Sequence, residues 1–324
     1  MPKPRFTQVS LEDTPFYHCI SRTVRRAFLC GADPYTGQCF EHRRGWIEKR
    51  LLHLAQVFAI DIAAFAVMSN HLHVVLKVDA EKAQAWSDME VVKHWHQVFG
   101  GTLLTQRFAN GEDIEHYFID LLDERISEYR QRLTNISWFM RALNEPIARS
   151  ANKEDECTGR FWEGRFKSQA LLDEAAVLAC MTYVDLNPIR ANMADTPERS
   201  NFTSIQRRIN AAKQGGQPKE LLPFVGNDRH AQPKGLVFEL QDYLRLVDDT
   251  GRILRNDKHG AIQASSRQIL ERLNISQETW LNITKEFMNM FKGPVGSLPE
   301  LTHYSENLGM QRVAHASSCQ HWAN

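Results

Sequence analysis

Met68-Ser-Asn-His71-Leu-His73-Val-Val-Leu76 is the stretch on which the reading of this chain turns. Two imidazoles stand one residue apart at the head of an apolar run with the composition of a β-strand. Successive strand side chains point to opposite faces. His71 and His73 therefore share one face, and Leu72, Val74 and Leu76 the other. One face can enter a core while the other offers two neutral nitrogen ligands to a divalent metal. Two strand histidines satisfied by hydrogen bonds are the alternative. A second match, His94-Trp95-His96, lies where Val91, Val92, Trp95, Val98 and Phe99 recur at helical spacing. Residues two apart on a helix do not face each other, so that pair reads as a surface feature.

Working outward, Phe16-Tyr-His-Cys-Ile-Ser-Arg22 alternates like a first strand, with Arg22, Arg25 and Arg26 at its end. Trp46, Leu51, Leu52, Leu54, Ala55 and Phe58 recur at helical spacing between about Phe40 and Phe58. Ile60 to Val67 and Leu72 to Val78 read as strands joined by a link short enough for a hairpin. Strand, helix, strand, strand opens a split βαβ, ferredoxin-like sheet. Residues 80–135 read as acidic helices broken at Gly100-Gly101 and Asn110-Gly111, followed by a helix from Ile136 to about Ala151. Gly159-Arg-Phe-Trp-Glu-Gly-Arg-Phe-Lys167 alternates basic and aromatic residues as a strand does. Asp173 to Asn187 reads as a helix capped by Asp173 and ended with help from Pro188. Residues 211–235, with Gly-Gly and three prolines, read as a linker. Beyond it, Ser265–Leu273 and Ser276–Phe291 form two amphipathic helices, either a helix-turn-helix DNA reader or an ordinary helical hairpin.

Composition narrows the classes. The 324 residues are 43% hydrophobic, ample for a real core. No run approaches the eighteen or so apolar residues of a membrane span, and Met1-Pro-Lys-Pro-Arg5 opens no apolar signal region. Cys19, Cys30, Cys39, Cys157, Cys180 and Cys319 form no CxxC pair, which points to a reducing cytoplasm. The net charge is zero but segregated. Residues 1–50 carry nine Lys/Arg against five Asp/Glu, a net of +4, and residues 79–130 carry five against eleven, a net of −6. That distribution permits an anionic partner on the basic part.

Tyr183-Val-Asp-Leu-Asn187-Pro188-Ile-Arg190 is the other chemically suggestive stretch. Tyr183 and Asn187, four apart on a helix, share a face. A phenol can act as a nucleophile and an amide oxygen as a hard metal ligand. A core aromatic and a C-terminal cap are the plain alternative. In the basic-aromatic block, Arg160, Arg165 and Lys167 can contact phosphates while Phe161, Trp162 or Phe166 stack unpaired bases. An alternating core strand accounts for the same aromatics. Arg22, Arg25, Arg26 and Arg190 are further candidate phosphate contacts, with a solvated charged surface as the alternative.

Taken together, Phe16–Arg22, Met68–Leu76, Arg160–Lys167 and Tyr183–Ala191 resemble the HUH single-strand DNA transposases, in particular the REP-associated tyrosine transposases and their insertion-sequence relatives. Order and approximate spacing match across most of residues 5–210. The resemblance implies an α/β (α+β) fold with a central, mainly antiparallel ferredoxin-like sheet. It divides the chain into a catalytic domain over 1–210 with an acidic helical insertion at about 80–135, a linker over 211–235 and a helical extension over 236–324. That insertion is larger than in compact members, and no role carries over to the extension.

By the same resemblance, His71, His73 and Asn187 would ligate a divalent metal, Mg2+ or Mn2+, and Tyr183 would be the nucleophile. It implies metal-dependent cleavage and rejoining of single-stranded hairpin DNA through a 5′-phosphotyrosine. It further implies a cytoplasmic, nucleoid-associated protein acting as one protomer or a homodimer. Two other readings stay open: a sequence-specific nucleic-acid-binding protein that keeps the fold without cutting, and a metal phosphodiesterase that uses water.

Overall fold

Strand β1 (Phe16–Arg22) runs through the middle of the sheet, flanked on both sides by antiparallel neighbours. The computed structural model describes residues 9–24, 29–31, 37–226, 234–254, 262, 264–310, 312–313 and 316–317. In chain order β1 is followed by α1 (His42–Val57), β2 (Ile60–Val67) and β3 (His71–Val78), then by α2 (Ala80–Ala85), α3 (Asp88–His96) and α4 (Leu103–Ala109). Next come α5 (Ile119–Leu133), α6 (Ile136–Glu154), β4 (Lys167–Ala170), α7 (Glu174–Asp185), α8 (Asn187–Arg190) and α9 (Ser204–Lys213). Helices α10 (Leu240–Leu254), α11 (Ala264–Arg272), α12 (Gln277–Met290) and α13 (Leu298–Asn307) complete the order. The strands align β2-β3-β1-β4, which is the order of a split βαβ sheet. The architecture is mixed α/β, with one four-stranded antiparallel sheet among many helices.

The chain divides into two compact units, Met1–Gly45 with Ile62–Lys77 and Arg160–Asn324, and Trp46–Asp61 with Val78–Gly159. In the first unit the sheet is buried on both faces, so β2 and β3 read as near-continuous apolar runs rather than alternating ones. Met68 N–H donates to the His71 carbonyl at 2.8 Å and closes the β2–β3 hairpin. Helix α7 is capped by Asp173, which accepts from Ala176 N–H at 2.8 Å, and every residue from Ala176 to Asp185 is buried. An all-round buried helix needs partners on every side. Part of that cover comes from α10 and α12, whose Tyr243, Leu246, Val247, Trp280, Ile283 and Phe287 share the core with α7. Trp280, Ile283, Thr284 and Phe287 follow the i, i+3, i+4, i+7 pattern of one helix face. In the α11–α12 pair the second helix therefore turns one face into the core and leaves Glu278, Asn282, Lys285 and Asn289 exposed. Within residues 211–235, Leu221, Leu222 and Phe224 are buried as well.

A polar network ties α7 to α9 and α10. Asp185 accepts from Ser204 Oγ at 2.5 Å, Ile205 N–H at 3.1 Å and Tyr243 OH at 2.5 Å. The buried Arg208 donates to the carbonyls of Ala63 and Leu222.

In the second unit, α2 to α6 lie between β3 and β4 in the chain. Positive φ at Gly101 and Gly111 turns the chain before and after α4, which is the left-handed conformation glycine adopts at little cost. Trp95, Phe99, Tyr129 and Trp138 form the aromatic centre of this unit, with Arg132 4.3 Å from the Trp138 centroid. His94 stacks on Trp86 at 4.2 Å, and His96 Nε2 meets Thr105 Oγ1 at 3.1 Å. The second His-x-His pair is split between two separate structural contacts. No described helix is long and apolar enough to cross a membrane.

Candidate active site and nucleic-acid interface

The strand register decides which side chains meet. Arg22 is the cross-strand partner of His71, and Ile20 of His73. On the other side of β1, His18 pairs with Gln169 and Ile20 with Lys167. Directly opposed residues share a sheet face, so His71, His73, His18, Arg22, Lys167 and Gln169 all project from one face. That face is not open: His73 is 3% exposed and Val75 is fully buried, as are Leu72, Val74 and Leu76 on the reverse. Both faces of β3 are covered, where alternation alone suggested one core face and one presenting face.

Tyr183 on α7 reaches this face. Its ring centroid lies 5.7 Å from that of His73 and 6.5 Å from that of His18, edge-on in both cases. Phe287 of α12 packs on the phenol at 5.4 Å, and the Arg190 guanidinium stands 3.7 Å from its centroid. Arg190 is further held by the carbonyls of Lys285 at 2.9 Å, Thr284 and Tyr183. This stacked cation orients the nucleophile candidate rather than reaching outward. Among the described residues the Tyr183 hydroxyl has no hydrogen-bond partner.

His71, His73 and Tyr183 line a single cavity of about 340 Å3. Arg22, Arg165, Lys167 and Lys292 also line it, against the one carboxylate of Glu163. Four cations around one cavity in a chain of zero net charge make a focused positive potential. Burial, reinforced by the charges of Arg22 and Arg190, lowers His71 to about 4, and burial beside His18 holds His73 well below the usual imidazole range. Both imidazoles are therefore neutral at pH 7, the form that ligates metals.

The remaining expected site residues are dispersed. Asn187 opens α8 after α7 has ended at Asp185. Pro188 sits in the first turn of α8, where no N–H is needed. Asn187 is 7% exposed and its amide nitrogen is buried without a partner among the described residues. Arg160 is exposed and Trp162 half-buried, outside the cavity lining. Phe161 is buried, so it belongs to the core and not to a stacking platform. The block around them is not the continuous strand its alternation suggested. Only Lys167–Ala170 pairs regularly, preceded by a lone Thr23–Trp162 bridge and a Glu163 N–H bond to the Arg22 carbonyl. Arg25 and Arg26 lie outside the described residues.

Asn289 on α12 and Lys292 just after it, which also line the cavity, carry no local signal, because this part of the chain reaches the site only through the packing of α12 on α7. His18 and Gln169 were equally hidden, although His18 has the same strand parity as Arg22.

Among the described residues no group of three or more His, Cys, Asp or Glu side chains is arranged to hold a metal ion. A metal here would rest on two neutral imidazoles and the Asn187 amide, a nitrogen and oxygen set without thiolate. Amide oxygen and nitrogen exchange by rotation, and a buried amide lacking a partner fits a ligand role. The donor set suits a borderline or hard divalent cation.

No protein-family model and no curated protein matches the chain. A solved structure described as a REP-associated tyrosine transposase bound to a REP hairpin aligns over 72% of this chain and 98% of its own. The identity is 11% and the TM-score 0.39, a level at which neither fold nor activity carries over.

Proposed function

We propose that this chain cleaves and rejoins single-stranded, hairpin-forming DNA through a covalent link between Tyr183 and a 5′ phosphate, with a divalent metal as cofactor. The observation that carries the reading is one basic cavity lined by a histidine pair on a strand and by a tyrosine from the helix that covers it. The four-block resemblance of the sequence supports it independently.

Each residue has a defined task in this reaction. The Tyr183 oxygen attacks the scissile phosphorus. The new O–P bond forms as the P–O3′ bond breaks, the phenolic proton passes to solvent, and the 3′ oxygen leaves as a hydroxyl after taking a proton. The phosphodiester is conserved as phosphotyrosine, so the 3′-OH of another end can reverse the step and join a new strand. Arg22, Arg165, Lys167 and Lys292 bind and orient phosphates. Arg190 and Phe287 hold the phenol between a cation and an apolar ring. His71, His73 and Asn187 would hold Mg2+ or Mn2+, which when bound supplies Lewis-acid polarisation of the phosphate and orients the leaving oxygen.

A single tyrosine transfers one strand at a time, so a full exchange uses two protomers or two successive reactions. The partner is DNA in the cytoplasm, at the nucleoid.

Selection of bound single strands from fragmented host DNA, followed by incubation of the winners with Mn2+, tests the reading. The expected product is a denaturation-resistant protein–DNA adduct together with a free 3′-OH fragment. Binding without any cut would instead favour a non-catalytic DNA-binding protein, and cutting without an adduct a phosphodiesterase that uses water.

A further inference from the structure

A line of hydrogen bonds runs from the chain after α12 to the back of His73. The Gln169 amide nitrogen donates to two backbone carbonyls, Phe291 O at 3.0 Å and Gly293 O at 2.6 Å. Carbonyls only accept, so this amide cannot turn over, and its oxygen must face the other way. There Gln169 Oε1 meets His18 Nδ1 at 3.3 Å, and His18 Nε2 meets His73 Nδ1 at 2.8 Å. Both imidazoles are buried, His18 at 0% and His73 at 3% exposure.

The directions follow one from the next. An amide oxygen requires a proton on His18 Nδ1. A neutral imidazole then has a lone pair on Nε2, which requires a proton on His73 Nδ1. His73 Nε2 is left as the lone-pair nitrogen of a residue that lines the cavity. His71 Nδ1 lies 2.6 Å from Asn70 Oδ1, a contact that places the His71 proton on Nδ1 when the amide oxygen faces the ring.

We propose that Gln169 and His18 are positioning residues that hold His73 as its Nδ1–H tautomer, and that the carbonyls of Phe291 and Gly293 set the direction of the whole relay. The helical segment after 236 thereby acquires a role at the active site. It fixes the proton location on a histidine of β3 through two side chains it does not itself supply. The relay makes His73 a competent ligand before any metal arrives, which is what an outer partner does for a metal-binding histidine. The metal part of this inference rests on the proposed function; the tautomer part does not.

The test joins two measurements. Long-range 1H–15N correlation spectra of histidine-labelled, metal-free protein at neutral pH read the tautomers directly. His73 is expected with a protonated Nδ1 and an unprotonated Nε2. Mn2+ titration then compares the unsubstituted chain with His18→Phe, Gln169→Leu and His18→Gln, each checked for folding by circular dichroism. His18→Phe and Gln169→Leu should weaken Mn2+ binding by roughly 10–100-fold, the usual effect of losing an outer hydrogen-bond partner. His18→Gln replaces the accepting nitrogen with an acceptor oxygen at similar reach and should rescue most of the loss.

His73 carrying its proton on Nε2 in the unsubstituted chain overturns the relay, as does undiminished Mn2+ affinity in His18→Phe. If the unsubstituted chain binds no Mn2+, the metal reading falls alone, and the tautomer spectrum still decides the relay.

Discussion

Replacing Tyr243 with phenylalanine removes one oxygen atom from the core and tests how the covering helices are bound to α7. The Tyr243 hydroxyl donates to Asp185 Oδ2 at 2.5 Å, while the other carboxylate oxygen keeps Ser204 and Ile205. Ring volume is unchanged, so no cavity opens beyond the hydroxyl. A hydrogen bond to a buried charged group is worth about 1.5–3 kcal/mol, and that is the expected loss at pH 7.5. Burial pushes Asp185 up from 3.8 to about 6, against the opposing pull of Ser204, Tyr243 and the Arg208 charge. The folded value lies above the unfolded one. This group's contribution to stability is therefore fully present below pH 3.8 and is lost as pH rises through about 6. It amounts to about 3 kcal/mol at about 1.4 kcal/mol per pH unit. Loss of the Tyr243 donor raises Asp185 further, so the cost of Tyr243→Phe must be larger at pH 7.5 than at pH 5. Urea unfolding at both pH values, with the slope m unchanged, measures it. A cost below about 0.5 kcal/mol at pH 7.5 refutes the reasoning, since that is the scatter of an uninvolved surface substitution. A cost that grows on acidification refutes it equally.

Other outcomes follow from the same structure. A chain truncated after residue 235 loses the buried Tyr243, Leu246, Val247, Trp280, Ile283, Phe287 and Phe291. At about 1.5–3 kcal/mol per buried side chain, this removes as much as a whole domain's net stability. Such a fragment should show no cooperative urea transition by near-ultraviolet circular dichroism; a sharp transition would mean that residues 1–235 fold without the helices that follow. Lys292→Gln should weaken single-stranded DNA binding across all sequences and lower the slope of log affinity against log salt by about one. An unchanged slope, measured by fluorescence anisotropy, would remove Lys292 from the phosphate contacts.

The sheet was legible because its signals are local. Ile60–Val67 and His71–Val78 are apolar runs of strand length around a short polar link, and β1 alternates cleanly; all three appear at or within a residue of their expected bounds. The site was legible only in part. Tyr183 and the histidine pair stood out because those residue types at those spacings suggest chemistry, and the register brings them to one cavity. What surrounds them depends on contacts between distant segments. His18 and Gln169 are 151 residues apart and meet only through the pairing of β1 with a four-residue strand. Lys292 follows the end of a helix whose own pattern reports nothing but its buried face. The basic-aromatic block was ambiguous for a related reason: Phe161 turns into the core while Arg165 and Lys167 turn to the cavity, and of these only Lys167 lies on a strand, the residues before it having irregular backbone.

The central claim is that Tyr183 becomes covalently joined to DNA. A selected hairpin with a labelled 5′ phosphate at the cut, incubated with the protein and Mn2+ and then digested with protease, should leave phosphonucleotide on a single peptide. Mass spectrometry should place it on Tyr183, and Tyr183→Phe should abolish it while hairpin binding stays within a few-fold. Linkage to another residue, or an undiminished adduct in Tyr183→Phe, contradicts the account.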